Sequence, residues 1–328
     1  MTKLPIAVDA MGGDHAPGQI LEGARLAVAA GIPVVLVGRS AEIGETGGIA
    51  VIEASEVIGM DEDAAKGVRT KKDSSLVRAA EAARDGKAAA FLSAGNTGAT
   101  MASALLRMGR IKGVIRPAIA TPIPVIGATP TVLLDAGANA ECTVEMLVQF
   151  AQMGAVMARH RYGIASPRVG LLSIGEEDGK GNPLAKEANQ ALRDGAAGVG
   201  VNFIGNVEGR DVMSDHVDVV VTDGFTGNVV LKTLEGALKH LMGKLLESFM
   251  ATEESRAAAK VLLPALAPIA ETMDPNTYGG AMLLGIDGVA IISHGSSNAT
   301  AIFNAVKTAH SMVESGMVAA LREAIAGR

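Results

Sequence analysis

Short apolar runs alternate along this chain with longer stretches whose apolar residues step by three and four. Ile6–Val8, Val34–Val37, Ile49–Ile52, Ala88–Leu92, Val169–Ile174, Val219–Val221 and Val289–Ile292 are the short runs. They are rich in Val and Ile and too short for helices, which predicts strands covered on both faces. Between them, Gly18–Ala30 sets Ile20, Leu21, Ala24, Ala27 and Val28 at helical spacing, and Gly31 follows as a helix stop. Further helices are expected from about Ser75 to Asp85, with Asp73 or Ser74 as N-cap, up to Met108, from Thr143 to Arg159, after Pro183, and from the Ser293–Asn298 loop to the end. Ile119–Ile126 and Thr131–Leu134 read as neighbouring strands of a hairpin pair, and Pro122 and Pro124 predict that the first is an edge strand or an irregular one. Met60–Ser75 shows no period and reads as a charged loop.

From Asn228 the pattern becomes a long helix, with Leu231, Leu234, Leu238, Leu241, Leu245 and Phe249 on one stripe. Beyond it, Val261–Ala270 is apolar but twice interrupted, at Pro264 and Pro268. The alternation of strands and helices predicts an α/β fold with a mainly parallel sheet covered on both faces. No linker composition marks a boundary, so residues 1–328 are expected to be one unit with a helical projection over about 231–274.

Composition narrows the picture. Aromatic residues are only 2% of the 328, so the core must be built from Ala, Val, Leu, Ile and Met. The 40 glycines cluster after the apolar runs, as tight βα turns require. The net charge of −6 argues against nucleic acid as a partner. One local basic cluster, Lys66, Arg69, Lys71 and Lys72, stands out. A lone cysteine, Cys142, rules out an intrachain disulfide and fits a reducing compartment. The N-terminus carries no signal-peptide pattern, and no apolar run reaches the ~20 residues that span a bilayer.

Five loops share one chemistry. Gly12–His15, Gly95–Gly98, Gly137–Asn139, Gly224–Asn228 and His294–Asn298 each join glycine to Asn, Thr, Ser, Asp or His. Placed at strand ends on one face of a parallel sheet, they would offer backbone N–H groups and neutral donors to a phosphate or a carbonyl oxygen. The usual nucleotide, nucleophile-elbow and metal-ligand motifs are absent. Asp9, Asp14 and His15 lack a recognised metal pattern, so neither metal nor cofactor is expected.

Seven motifs in order resemble one family. Val8–Pro17 (VDAMGGDHAP), Lys71–Ser75 (KKDSS), Ser93–Ala99 (SAGNTGA), Leu133–Asn139 (LLDAGAN), Asn206–Arg210 (NVEGR), Thr222–Asn228 (TDGFTGN) and Ser293–Asn298 (SHGSSN) resemble the bacterial acyl-carrier-protein:phosphate acyltransferases of phospholipid synthesis, the PlsX-type family. The resemblance covers nearly the whole chain. It implies a Rossmann-like α/β/α fold akin to phosphate acetyltransferases and the isopropylmalate dehydrogenase group, and a homodimer. It implies transfer of a fatty acyl group from acyl carrier protein to inorganic phosphate, in the cytoplasm, peripherally at the inner face of the cell membrane. There the acyl phosphate would pass to a glycerol-3-phosphate acyltransferase.

On this reading Lys72, Ser74, Asn96 and Thr97 are expected to hold phosphate. Asn228, with the Thr226–Gly227 backbone, is expected near the acyl oxygen, and His15 or His294 to steer a proton. Asp9, Gly12, Gly13, Asp14, Asn139, Asp223, Ser296, Ser297 and Asn298 complete the expected substrate-binding set. Cys142 at a helix start is a rival nucleophile. A coenzyme A-dependent phosphate acetyltransferase, a dehydrogenase and a non-catalytic carrier-binding scaffold are the alternatives.

Overall fold

A computed structural model of the chain describes residues 4–198 and 200–327. Eleven strands among them form one sheet: β1 Ile6–Asp9, β2 Val34–Gly38, β3 Val51–Glu53, β4 Ala90–Ser93, β5 Ala118–Ile123, β6 Thr131–Leu134, β7 Arg168–Leu172, β8 Asn202–Val207, β9 Val219–Val221, β10 Ala281–Leu284 and β11 Ala290–Ile292. Their spatial order is β3-β2-β1-β4-β11-β10-β5-β6-β9-β7-β8. Helices cover both faces, and successive strand residues feed two separate cores. Ile6, Val8, Leu36 and Leu92 pack on one side. Ala7, Val35, Val37 and Phe91 pack on the other. This two-sided burial is why the runs are apolar without alternation. Seven strand pairings are parallel and three antiparallel, so the sheet is mainly parallel as expected.

The three antiparallel pairings decide the architecture. β10 is antiparallel to both β11 and β5, and β5 is antiparallel to β6. β6, β9, β7 and β8 therefore run opposite to β1, β2, β3, β4 and β11. The five loops do not share one face of the sheet. Those after β1, β4 and β11 leave at one edge, and those after β6 and β9 leave at the other. Apolar periodicity carries no strand direction, and the β5–β6 hairpin is where the direction turns.

Other elements depart from expectation for local reasons. β5 is an interior strand, not an edge. It pairs with β10 only over Ala118–Ala120 and with β6 onward to Ile123, so Pro122 lies beyond its last β10 partner. The charged stretch contains a helix, Ala64–Thr70, capped by the Asp63 carboxylate accepting the Lys66 N–H at 2.7 Å. Only Gly67 and Val68 of it are buried, too few to print a period. Ser74 stands at the N-cap of the next helix, but its side chain makes no capping bond. β10 was hidden behind Gly279–Gly280, both at positive φ. The last helical region is two helices, Ala299–Glu314 and Met317–Ala326, broken at the left-handed Gly316. The projection is a pair of helices, Gly224–Phe249 and Glu253–Met273. The second runs through Pro264 and Pro268, and the residues four before them, Lys260 and Pro264, are exposed.

Candidate active site

The edge after β6 and β9 is built around Asp135. Its carboxylate is fully buried and accepts backbone N–H groups from Ile119 (3.0 Å), Gly137 (3.1 Å), Ala138 (2.9 Å) and Asn139 (2.7 Å), and the Asn139 amide at 2.9 Å. Burial raises the Asp135 pKa, opposed by those hydrogen bonds. The Asn139 side chain is thus committed, and it also donates to the Pro117 carbonyl at 2.8 Å. The loop after β9 packs onto this hub. A Cβ on Gly224 would lie 2.6 Å from the Asn139 carbonyl oxygen, and one on Gly227 would lie 1.9 Å from that of Asp135. No side chain other than hydrogen fits at either position. Asp223 caps the helix through the Thr226 N–H (2.8 Å) and also accepts the Thr226 hydroxyl (2.8 Å).

What this packing leaves free is Asn228. It is exposed, has no hydrogen-bond partner among the described residues, and lies over Gly137, 3.5 Å from where a Cβ would be. β7 lies beside β9, and its loop reaches the same edge. Asn206 donates to the Glu177 carbonyl (2.9 Å) and accepts from Asn189 (2.8 Å), which fixes that loop from behind. Lys180 folds over Gly175, is exposed, and has no ion pair among the described residues. Ser173, partly buried beside Gly181, has a buried hydroxyl oxygen without a partner. The loops after the neighbouring parallel strands β7 and β9 thus carry an ammonium group and a hydroxyl on one and an amide and the start of a 26-residue helix on the other. Lys180 was not singled out from the sequence. Its cue was the run Gly175–Pro183, the longest polar glycine loop in the chain, whose position beside β9 periodicity does not give.

Cys142 sits at this edge too, 3.6 Å from the Asn139 carbonyl oxygen. Burial, with Asp135 and Asp223 nearby, pushes its thiol up to about 12. At neutral pH it is a protonated thiol and a poor nucleophile.

The opposite edge has a parallel design around Asp9. This buried carboxylate accepts from the Ser93 hydroxyl at 2.7 Å and the Met11 N–H at 3.1 Å, and burial raises its pKa against hydrogen bonds from Ser93, Ser75, Met11 and Gly12. Gly12 packs where a Cβ would meet Asp9 and Gly95 at 2.7 Å, and Asp14 donates its N–H to the Gly295 carbonyl at 2.8 Å. Gly13, at φ 108°, lies against Ala94. Asn96 is fully used: its amide donates to Gly59, Met60 and Glu62 carbonyls, and its oxygen caps the Thr97–Ser103 helix. Thr97 is exposed on that helix start. Asn298 likewise caps the Ala299–Glu314 helix at 2.9 Å, beside buried Ser297. His294 Nδ1 lies 2.8 Å from the Ser296 hydroxyl, and His15 is exposed. Lys72 is exposed and unpaired among the described residues, whereas Lys71 is tied to Glu62 and the Val57 carbonyl. Ser74 and Ser293 are buried with unpartnered hydroxyls.

The structure thus brings Asp135, Asn139, Asp223, Thr226, Gly227 and Asn228 together at one edge. It brings Asp9, Gly12, Gly13, Asp14, Asn96, Thr97, His294 and Ser296–Asn298 together at the other. From β11, the nearest strand of the second group, to β6 there are three strand steps. At about 4.8 Å each, that separates those strands by roughly 14 Å before strand length is counted. The two groups therefore leave the sheet at opposite strand ends.

Comparison with known proteins decides the family. A family model described as "Fatty acid synthesis protein" matches residues 4–320. The phosphate acyltransferase of Elusimicrobium minutum is 48% identical over 331 residues, covering 98% of this chain and 96% of that protein. The chain belongs to the phosphate acyltransferase family. It is an acyltransferase of fatty acid and phospholipid synthesis, and the Bacillus subtilis phosphate acyltransferase is 43% identical, with 98% and 97% covered. Solved structures agree on the fold. The EutD phosphotransacetylase of Staphylococcus aureus superposes with a TM-score of 0.61 at 14% identity, covering 95% of this chain and 94% of that one. A 4-hydroxythreonine-4-phosphate dehydrogenase of Klebsiella pneumoniae gives 0.52 at 13%, covering 95% and 100%.

Proposed function

We propose that the chain transfers a fatty acyl group from the thioester of acyl carrier protein to inorganic phosphate, and that the Asn228–Lys180 edge is the reaction centre. The observation that carries this is the pair of unpartnered polar side chains, Asn228 and Lys180, at adjacent strand ends over glycine floors. Phosphate, much of it dianionic at neutral pH, attacks the thioester carbonyl carbon. The C–S bond breaks, and the proton of the hydrogen phosphate ends on the departing thiolate. Acyl phosphate and carrier thiol result, and no protein base is required. Lys180 and the helix start hold the anion, and the Asn228 amide donates to the oxyanion.

A second reading places phosphate at Lys72, Ser74 and the Asp9 edge, with His15 or His294 moving a proton. The unpartnered Ser74 and Ser293 hydroxyls favour it. The test of the function is phosphate-dependent thiol release and hydroxylamine-trapped acyl phosphate, with acyl carrier protein and acyl-CoA compared side by side. Carrier-dependent product is expected. Equal or faster turnover of acyl-CoA would instead mark a coenzyme A enzyme, and carrier binding without thioester loss a scaffold.

We also propose a homodimer attached peripherally to the inner face of the cell membrane, passing its product to a glycerol-3-phosphate acyltransferase there. Among the described residues no helix is long and apolar enough to cross a membrane. The helical pair nonetheless exposes Leu241, Leu245, Leu246, Met250, Val261, Leu262, Leu266 and Ile269. Apolar side chains in such a row are covered by a partner or an interface. Leu262→Glu is expected to weaken flotation with anionic vesicles, and unchanged flotation would refute the membrane role.

A further inference from the structure

The segment from Ala104 to Pro117 carries Arg107, Arg110, Lys112 and Arg116 and no acidic residue, in a chain of net charge −6. Arg107 turns inward, donating to the Val68 carbonyl and facing Glu81 at 3.8 Å. Arg110, Lys112 and Arg116 are exposed, and among the described residues none is paired with a carboxylate. Arg110 donates to the Ile115 carbonyl. Asp287 donates its N–H to the Gly109 carbonyl, and its carboxylate is held by Arg322. Leu106, 52% exposed, and Ile115, 37% exposed, lie among these cations.

The place of this segment matters more than its charge. Ile111 bonds to the Gly285 carbonyl, just past the end of β10, and the segment leads into the start of β5. Pro117 accepts from Asn139, so the segment adjoins the Asp135 hub and the edge that holds Asn228. The Lys66–Lys72 cluster differs on both counts. Residues 61–73 contain four acids and four bases, and Lys71 is neutralised by Glu62. That cluster also borders the Asp9 edge, through the bridge between Glu56 and Ser74.

We infer that Leu106–Arg116 is the docking surface for the acyl donor's protein, an acidic helix with a small apolar patch. Three unpaired cations meet its carboxylates and Leu106 and Ile115 meet its apolar residues. A thioester arm then enters beside Asn228. This rests on the carrier-protein reading of the function.

The test combines turnover with a binding measurement that needs none. Fluorescently labelled acyl carrier protein is titrated with wild type, with Arg110→Glu/Lys112→Glu/Arg116→Glu, with the milder Lys112→Glu/Arg116→Glu, and with Lys66→Glu/Arg69→Glu, each checked for folding by circular dichroism. Expected is a rise of about tenfold or more in Kd and in KM for the acyl carrier in the triple variant, with kcat held. The double variant should show a smaller rise, and the Lys66/Arg69 variant should stay within about twofold. In wild type the affinity should fall steeply with salt. An unchanged Kd in the folded variants, or a loss confined to Lys66→Glu/Arg69→Glu, overturns the docking surface. Tight carrier binding that is lost in the triple variant, without phosphate-dependent thioester cleavage by wild type, would sink the proposed reaction and leave the surface standing.

Discussion

The two edges of the sheet are built alike and finished differently. Each has a buried aspartate at a strand end, Asp9 or Asp135, whose oxygens collect donors from the next loop and from another strand. Each has glycines pressed against that hub, because a side chain there would collide with backbone or carboxylate. At the Asp9 edge Asn96 is consumed as a helix cap and loop tie and the Asn298 oxygen as a helix cap, while among the described residues Lys72 is unpaired and the Ser74 and Ser293 hydroxyls are buried without partners. At the Asp135 edge Asn139 is consumed in the same way, but Asn228 and Lys180 are left facing solvent without partners. A polar residue is legible as structural or functional only after its hydrogen bonds have been counted.

The sharpest way to break this comparison is to remove the free groups of the Asp135 edge. Asn228→Ala and Lys180→Ala are each expected to lower kcat by ~10²–10³, the usual loss for one oxyanion donor. Acyl phosphate formation in folded protein is the readout, and near-normal rates in both would move the chemistry elsewhere. Lys72→Ala and His294→Ala at the other edge should change kcat by less than about threefold, on the scale of a solvated surface charge. Losses there as large as at Asn228 would favour the second reading.

The smallest effect is expected at Cys142. With its thiol pushed up to about 12, the thiolate fraction at pH 8 is only about 10⁻⁴. Cys142→Ser should therefore keep wild-type activity. Iodoacetamide labelling in the folded enzyme should stay slow through pH 10 and rise only as pH approaches the folded pKa, since raising the pKa delays ionisation. Fast labelling at pH 8 together with an inactive Ser variant would restore the acyl-enzyme alternative.

Much of the fold was readable from the chain. Val219–Val221 and Phe91–Leu92 announce doubly covered strands because both their faces reach a core. Strand direction was not readable, and with it went the grouping of the loops. Three antiparallel pairings around β10 and β5 set it, and these are long-range contacts that leave no local trace. The site was legible as residue types and not as roles. Asn96, Asn139 and Asn228 look equivalent in sequence, and only the carbonyls and carboxylates around the first two distinguish them from the third. Lys180 was missed for the related reason that β7 lies beside β9 in space while being separated from it by β8 in the chain.

The most direct test is a titration of isotope-labelled enzyme with inorganic phosphate, followed by amide resonances. Saturable shifts are predicted at the Gly224–Asn228 backbone and the Asn228 side-chain amide, with Ser74, Ser293 and Gly295 unmoved. Shifts confined to Ser74, Ser293 and Gly295 would contradict a reaction centre at the Asn228–Lys180 edge.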